Sequence, residues 1–308
     1  MKDLLLGIAY RGWVAESHHR GRLCITAPDG TVRLLIGDTD VPTLPRSALK
    51  PFQVIAMLHQ GLDLSDELLA LAGASHWGEP MHVDGVLRIL AGVGLSVDDF
   101  VHTADLPLDE AARNEWLRAG RGREPLAHNC SGKHAAMLRT CLTAGWAMED
   151  YRNPEHPLQL AVREVLEDYC GIVGDPVVDG CTAPAFVTTL PGLARSFGCW
   201  AAETEGAGKL VADAYRSYPE HTSGTADPVV RLHRQIPGAV AKVGADGILA
   251  VGLPDGTGVA LKLSDGMGRG RFEVMDAVLR ALGYEVDSGP HEVRIAPDVL
   301  ERLAELSD

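Results

Sequence analysis

Aromatic side chains are scarce in this 308-residue chain, at 5%. No apolar run approaches the roughly 18 residues that a membrane-crossing helix needs. Basic charge is also short: 28 Lys and Arg stand against 42 Asp and Glu, a formal net charge of −14. With no basic stripe, broad nucleic-acid or anionic-membrane binding is excluded. The six cysteines (24, 130, 141, 170, 181 and 199) form no CxxC pair and no regular framework. That spacing excludes a disulfide scaffold and suits a reducing cytoplasm. The N-terminal LLLGIAY is too short for a signal core and runs straight into Arg11, so it reads as a strand. No Ser-Asp-Asn string occurs anywhere.

What is present is a 46% apolar composition with 34 glycines, enough for a large core with many turns. The period of hydrophobicity divides the chain. LLLGIAY, LCITA and TVRLLIG, with a PDG turn at 28–30, predict antiparallel strands near the N-terminus. AVAKVG, ILAVGLP and GVALKLS, with turns at Asp246-Gly247 and Asp255-Gly256, predict a strand meander near the other end. Between them lie helical patterns over about 50–60, 65–71, 82–93, 109–118, 128–145, 157–169, 183–197 and 208–217. Asn129 is the expected N-cap of the fifth, and Pro191 an expected break in the seventh. A last amphipathic helix over 271–282 is expected to close the chain. No repeat or linker separates these parts. The expectation is one α/β (α+β) domain over 1–308. Its antiparallel sheet is built from the strands of both ends and flanked by helices, and the helical middle is an insertion.

The chemistry centres on RSALKPFQ, residues 46–53. Ser47 and Lys50 stand nearly one helical turn apart, so they share a face. Pro51 is tolerated only in a first turn, which puts Ser47 at the helix start, where free backbone N–H groups favour an oxyanion. A neutral Lys50 amine could take the Ser47 proton if burial or a nearby cation lowers its pKa. The plain alternative is a capping serine beside a solvated lysine. Ser75, in the loop ASHWGE, reads alone as an ordinary turn residue. In HNCSGKH, Cys130, Lys133 and His134 lie on one helical face at a helix start, where a thiolate is favoured. Cys181 follows Asp179 in VVDGCTAP. Two thiolates suit zinc if a third group completes the site, with His134 the usual choice and Lys133 the odd one. Lys242 interrupts an apolar strand, either at an edge or into a cleft, and Lys262 competes with it.

Together, RSALKPFQ, ASHWGE, HNCSGKHAAML, DGCTAPAF and AKVGADGILAVGL resemble the asparaginase II family, the rhizobial-type or class 3 L-asparaginases. RGWVAESHHRG at 11–21 resembles that family's N-terminal signature. The likeness spans nearly the whole chain in the same motif order. It implies a serine β-lactamase/glutaminase-like fold, a homodimer, and L-asparagine as substrate. It implies Ser–Lys pairs that fall on Ser47 with Lys50 and on Ser75 with Lys242. It implies a zinc on Cys130, Lys133 and Cys181, and places Arg46, His134 and Asp179 near the substrate. Two departures stand out: a shorter segment between Cys181 and Lys242, and Trp77 where a small polar residue is expected. Rival readings are a glutaminase, a penicillin-recognising acyl hydrolase (Lys242-Val243-Gly244 echoes Lys-Thr-Gly), and a non-catalytic zinc- or small-molecule-binding protein.

Overall fold

Strands from both ends of the chain do meet in one sheet. The structure is a computed structural model and describes residues 3–287 and 292–306. Near the N-terminus run β1 (Leu4–Arg11), β2 (Val14–Thr26) and β3 (Val32–Ile36). Near the other end run β6 (Val240–Val243), β7 (Ile248–Gly252), β8 (Gly258–Leu263) and β9 (Val293–Ile295). They form a seven-stranded sheet in the order β6-β7-β8-β2-β1-β9, with β3 also paired to β2. Every pairing in it is antiparallel, and β2 against β8 closes the ends together, with Leu23 opposite Leu261.

The helical middle holds α1 (Lys50–His59), α2 (Asp66–Ala72), α3 (Pro80–Ala91), α4 (Glu110–Arg118), α5 (Ser131–Ala144) and α6 (Pro157–Cys170). A small hairpin of β4 (Val177–Val178) and β5 (Pro184–Ala185) precedes α7 (Leu190–Ala202), α8 (Gly206–Ser217), α9 (Pro219–Thr222) and α10 (Pro228–Gln235). The chain then returns to the sheet and adds α11 (Arg271–Ala281) and α12 (Pro297–Ala304).

Period-two alternation divides the sheet between two cores. Leu249, Val251, Val259 and Leu261 point to a layer shared with α10, α11 and α12. Val240, Ile248, Ala250 and Ala260 point the other way, into the larger core under α1, α5, α6 and α7. The small residues on this second face let α7 press onto the sheet. A Cβ at Gly258 would stand 1.8 Å from the Ala194 carbonyl oxygen, so only glycine fits there. By the same alternation Lys242, two residues after Val240, points into the larger core.

Three local expectations differ from the structure. Helix α5 starts after Cys130, not Asn129. The Cys130 N–H is taken by His128 Nδ1 (3.0 Å) and the Asn129 carbonyl by the His76 N–H (3.0 Å), which leaves Asn129 outside the helix. Pro191 does not break a helix. It lies in the first turn of α7, capped by Thr189, where a missing N–H costs nothing. The chain does not close on 271–282, because β9 adds to the outer edge of β1 and α12 packs beneath it.

Candidate active site

The site forms where the start of α1 meets the end of β6. Residues Arg46–Leu49 make one 3-10 turn that runs directly into α1, with Pro51 in the first helical turn. Arg46 holds φ 55°, a left-handed conformation that costs a non-glycine residue about 1–3 kcal/mol. Its guanidinium is anchored in compensation: to Asp179 Oδ1 at 2.8 Å from Nε and 2.6 Å from Nη2, and to Asp246 Oδ2 at 3.0 Å from Nη1. Ser47 follows, partly exposed. Strand β6 is pressed against this turn, since a Cβ at Gly244 would lie 2.2 Å from the Pro45 carbonyl oxygen.

Lys50 is buried beneath the turn. Its Nζ donates to the Ala74 carbonyl (2.5 Å), Ser75 Oγ (3.0 Å) and Cys130 Sγ (3.0 Å). Ser75 is held there by its own N–H on the Thr222 carbonyl, 3.1 Å away. Among the described residues, the Ser47 hydroxyl makes no hydrogen bond to either lysine amine, although the Ser47 carbonyl accepts the Lys50 backbone N–H; the hydroxyl that the Lys50 amine touches belongs to Ser75. Lys242 is fully buried, and its Nζ reaches only the Val243 carbonyl, at 3.4 Å. Burial, and next the charge of Lys50, bring its pKa down from 10.5 to about 7. Lys262 is half-buried, with its amine on the Asp246 and Leu263 carbonyls.

Beside Lys50 the two distant cysteines converge. Cys130 and Cys181 pack together with Ala183, and Lys133 Nζ donates to Cys181 Sγ at 3.3 Å. A hydrogen bond with Cys181 and the charges of Lys50 and Lys133 outweigh burial and hold the Cys130 thiol well below its usual range. Burial opposes charge on Lys133, but the two sulfurs and Asp179 outweigh it and raise its pKa. Asp179 is itself lowered, because Lys133, the Gly180 N–H and Arg46 overcome its burial.

His134 donates or accepts through Nδ1 with Tyr151 Oη (2.6 Å), while its buried Nε2 makes no hydrogen bond of ordinary geometry among the described residues, although the Cys181 sulfur acts on the ring. It stacks on His102, with ring centroids 4.1 Å apart, and burial keeps both imidazoles neutral: His134 well below its ordinary value, His102 at about 3. Trp77 lies across Gly224, where a Cβ would meet the indole at 2.4 Å.

Among the described residues no three His, Cys, Asp or Glu side chains are arranged to hold a metal. The donors that do converge are two sulfurs and a lysine amine, with His134 Nε2 on the next helical position. The two thiolates suit a zinc ion, and Lys133 would join them only as the deprotonated amine.

The sequence signals thus meet in space: Arg46, Ser47, Lys50, Ser75, Cys130, Lys133, His134, Asp179, Cys181 and Lys242 line one region. Asp246, Asp227 and Arg271 were missed. Asp246 was read only as a turn residue and Arg271 only as a helix start, and nothing in their spacing says that they face this turn.

The family model for L-asparaginase II matches residues 8–300. No curated protein matches the sequence. Among solved structures, the chain is similar to a probable glutaminase from Bacillus subtilis complexed with 6-diazo-5-oxo-L-norleucine. They share 14% identity at a TM-score of 0.41, over 87% of this chain and 86% of that one. It is similar to a Bacillus glutaminase at 13% identity and TM-score 0.40, over 87% and 92%. It is similar to a β-lactamase from Mycobacterium bovis at 15% identity and TM-score 0.40, over 84% and 94%.

Proposed function

Since the chain belongs to the L-asparaginase II family and is an amidohydrolase, we propose that it hydrolyses the side-chain amide of L-asparagine to L-aspartate and ammonia through a serine acyl-enzyme. The observation that carries this reading is the buried Lys50 amine bridging Ser75 and Cys130 directly under the turn that bears Ser47.

Ser47 Oγ would attack the amide carbon, and its proton would pass to a neutral amine. Lys50 stands three residues along the chain. Lys242, with a pKa near 7, is neutral in about half the molecules at that pH. Backbone N–H groups at the start of α1 would stabilise the oxyanion, an effect worth about 3–4 kcal/mol in comparable sites. The C–N bond would then break as the amine returns its proton to the leaving ammonia. Water would release aspartate from Ser47 by the same route in reverse. Ser75, hydrogen-bonded to Lys50, would pass protons between that amine and the reacting centre.

Cys130, Lys133 and Cys181 would hold a zinc ion beside this pocket, and the metal would supply positive charge for substrate binding. Arg46, His134 and Asp179 would shape the adjoining wall.

The test is ammonia release from L-asparagine and from L-glutamine, each with and without chelator. Turnover of asparagine is expected. Release from neither amide would remove the substrate assignment.

A further inference from the structure

Two arginines flank the catalytic turn, and they differ in what they already hold. Arg46 is saturated: Asp179 and Asp246 both bind its guanidinium. Arg271 has no ion pair among the described residues. Its Nη1 makes one long contact, 3.4 Å, to the Gly244 carbonyl, and its Nε is buried with no hydrogen-bond partner. Its Nη2 has no protein acceptor either, among the described residues. The neighbouring Arg269, by contrast, is paired with Glu16 and Glu292 and serves the outer surface.

The charge balance around Arg271 is equally incomplete. Lys242, two residues before Gly244, is buried and makes no ion pair among the described residues. Asp227 acts on both side chains, and its Oδ1 accepts the Val229 N–H at the start of α10. Arg271, and Lys242 when protonated, therefore share one carboxylate that is hydrogen-bonded to neither, with the Cys130 thiolate acting on Lys242 alone. Such an excess is costly unless an anion completes it.

Position adds to the argument. The carbonyl that Arg271 touches belongs to Gly244, whose Cα lies against the Pro45 carbonyl, one residue before Arg46 and two before Ser47. Arg271 also remains partly exposed, so an incoming ligand reaches it. A guanidinium with open donors is the side chain best matched to a carboxylate.

We propose that Arg271 binds the α-carboxylate of the amino-acid amide, and so sets the enzyme's demand for a substrate with a free carboxylate. This rests on the amidohydrolase reading above.

The test compares wild type, Arg271→Gln and Arg271→Lys on L-asparagine and on L-asparaginamide, in which a neutral amide replaces the α-carboxylate. Loss of a charge-assisted pair is expected to lower kcat/KM for asparagine about 10–100-fold, mainly through KM, and to leave asparaginamide within about threefold. Arg271→Lys, which keeps the charge but not the planar fork, is expected to fall between, and it carries the comparison if the glutamine variant does not fold. Equal losses on both substrates, or no loss on asparagine, would overturn the proposal. If wild type releases ammonia from neither asparagine nor glutamine, the substrate assignment fails by itself. Calorimetric titration with L-aspartate then decides Arg271: binding present in wild type and weakened about tenfold or more in the variants supports it. Binding unchanged in the variants, or absent in wild type, overturns it.

Discussion

Ser47 and Lys242 carry the sharpest consequences at the scale of single residues. Ser47 is partly exposed and its hydroxyl makes no hydrogen bond among the described residues, so Ser47→Ala should leave the fold intact. Turnover should fall roughly a thousandfold or more, as removal of a covalent nucleophile usually dictates. A circular dichroism spectrum like wild type with activity within tenfold would exclude Ser47 as the nucleophile. The role proposed for Lys242 would tie activity to pH. Its folded pKa, about 7, lies below the ordinary lysine value. The amine needed for proton transfer is therefore the deprotonated form, and kcat/KM should rise with pH through about 7. The same shift has a stability sign. The unfolded chain binds the extra proton between about pH 7 and 10.5, so stability should increase with pH across that window and carry the full penalty below it. Lys242→Met removes that penalty. It should abolish the pH 7 limb of the rate profile yet raise the melting temperature at pH 6 by about 2–4 °C for each kcal/mol relieved. A lower melting temperature would show that the buried amine is paired.

At the scale of elements, the site depends on β6 lying against the 3-10 turn and on α5 meeting the 179–181 turn. Gly244 is the contact point of the first pair. Gly244→Ala would force the strand from the turn, an overpacking cost of about 1–3 kcal/mol. Because the displaced strand carries Lys242, activity should drop more than stability does, which parallel melting and rate measurements would reveal. The second junction holds the proposed zinc. About one zinc per chain is expected by elemental analysis, lost in Cys130→Ser and Cys181→Ser. Lys133 stands 3.3 Å from Cys181 Sγ, whereas His134 already engages Tyr151 through Nδ1. Lys133→Ala should therefore deplete the metal more than His134→Ala. The reverse order would move the third ligand to His134 Nε2.

The whole molecule is one sheet closed by both ends of the chain, with a core on each face. Its last elements are structural: β9 pairs with β1, and α12 buries Val299 and Leu303. Ending the chain at Leu282 should uncover that layer and lower the melting temperature, because several apolar side chains lose their cover at about 1.5–3 kcal/mol each when fully buried. Melting unchanged from the full chain would mean that this layer adds no stability. The family resemblance further suggests a homodimer, which light scattering would report as twice the 32.9 kDa chain mass. No helix among the described residues is long and apolar enough to cross a membrane.

The sequence alone determined the elements whose cause is local. Alternating Val, Leu and Ala set the strands, a proline in a first turn marked α1, and the motif strings singled out Ser47, Lys50, Cys130 and Lys242 as candidates, which the fold brings to one region. It misplaced the start of α5, because the capping groups there come from His128 and His76, one of them distant in the chain. It passed over β9, since three residues of strand carry too little period to read without a partner. Tertiary structure decided the rest. Which hydroxyl Lys50 meets, which arginine is already neutralised, and which lysine loses its proton all depend on charges and burial contributed by segments up to 200 positions apart, as Arg46 and Asp246 are. A pKa or an open donor belongs to an environment, and that environment exists only once the sheet has brought β6, the 3-10 turn and α5 together.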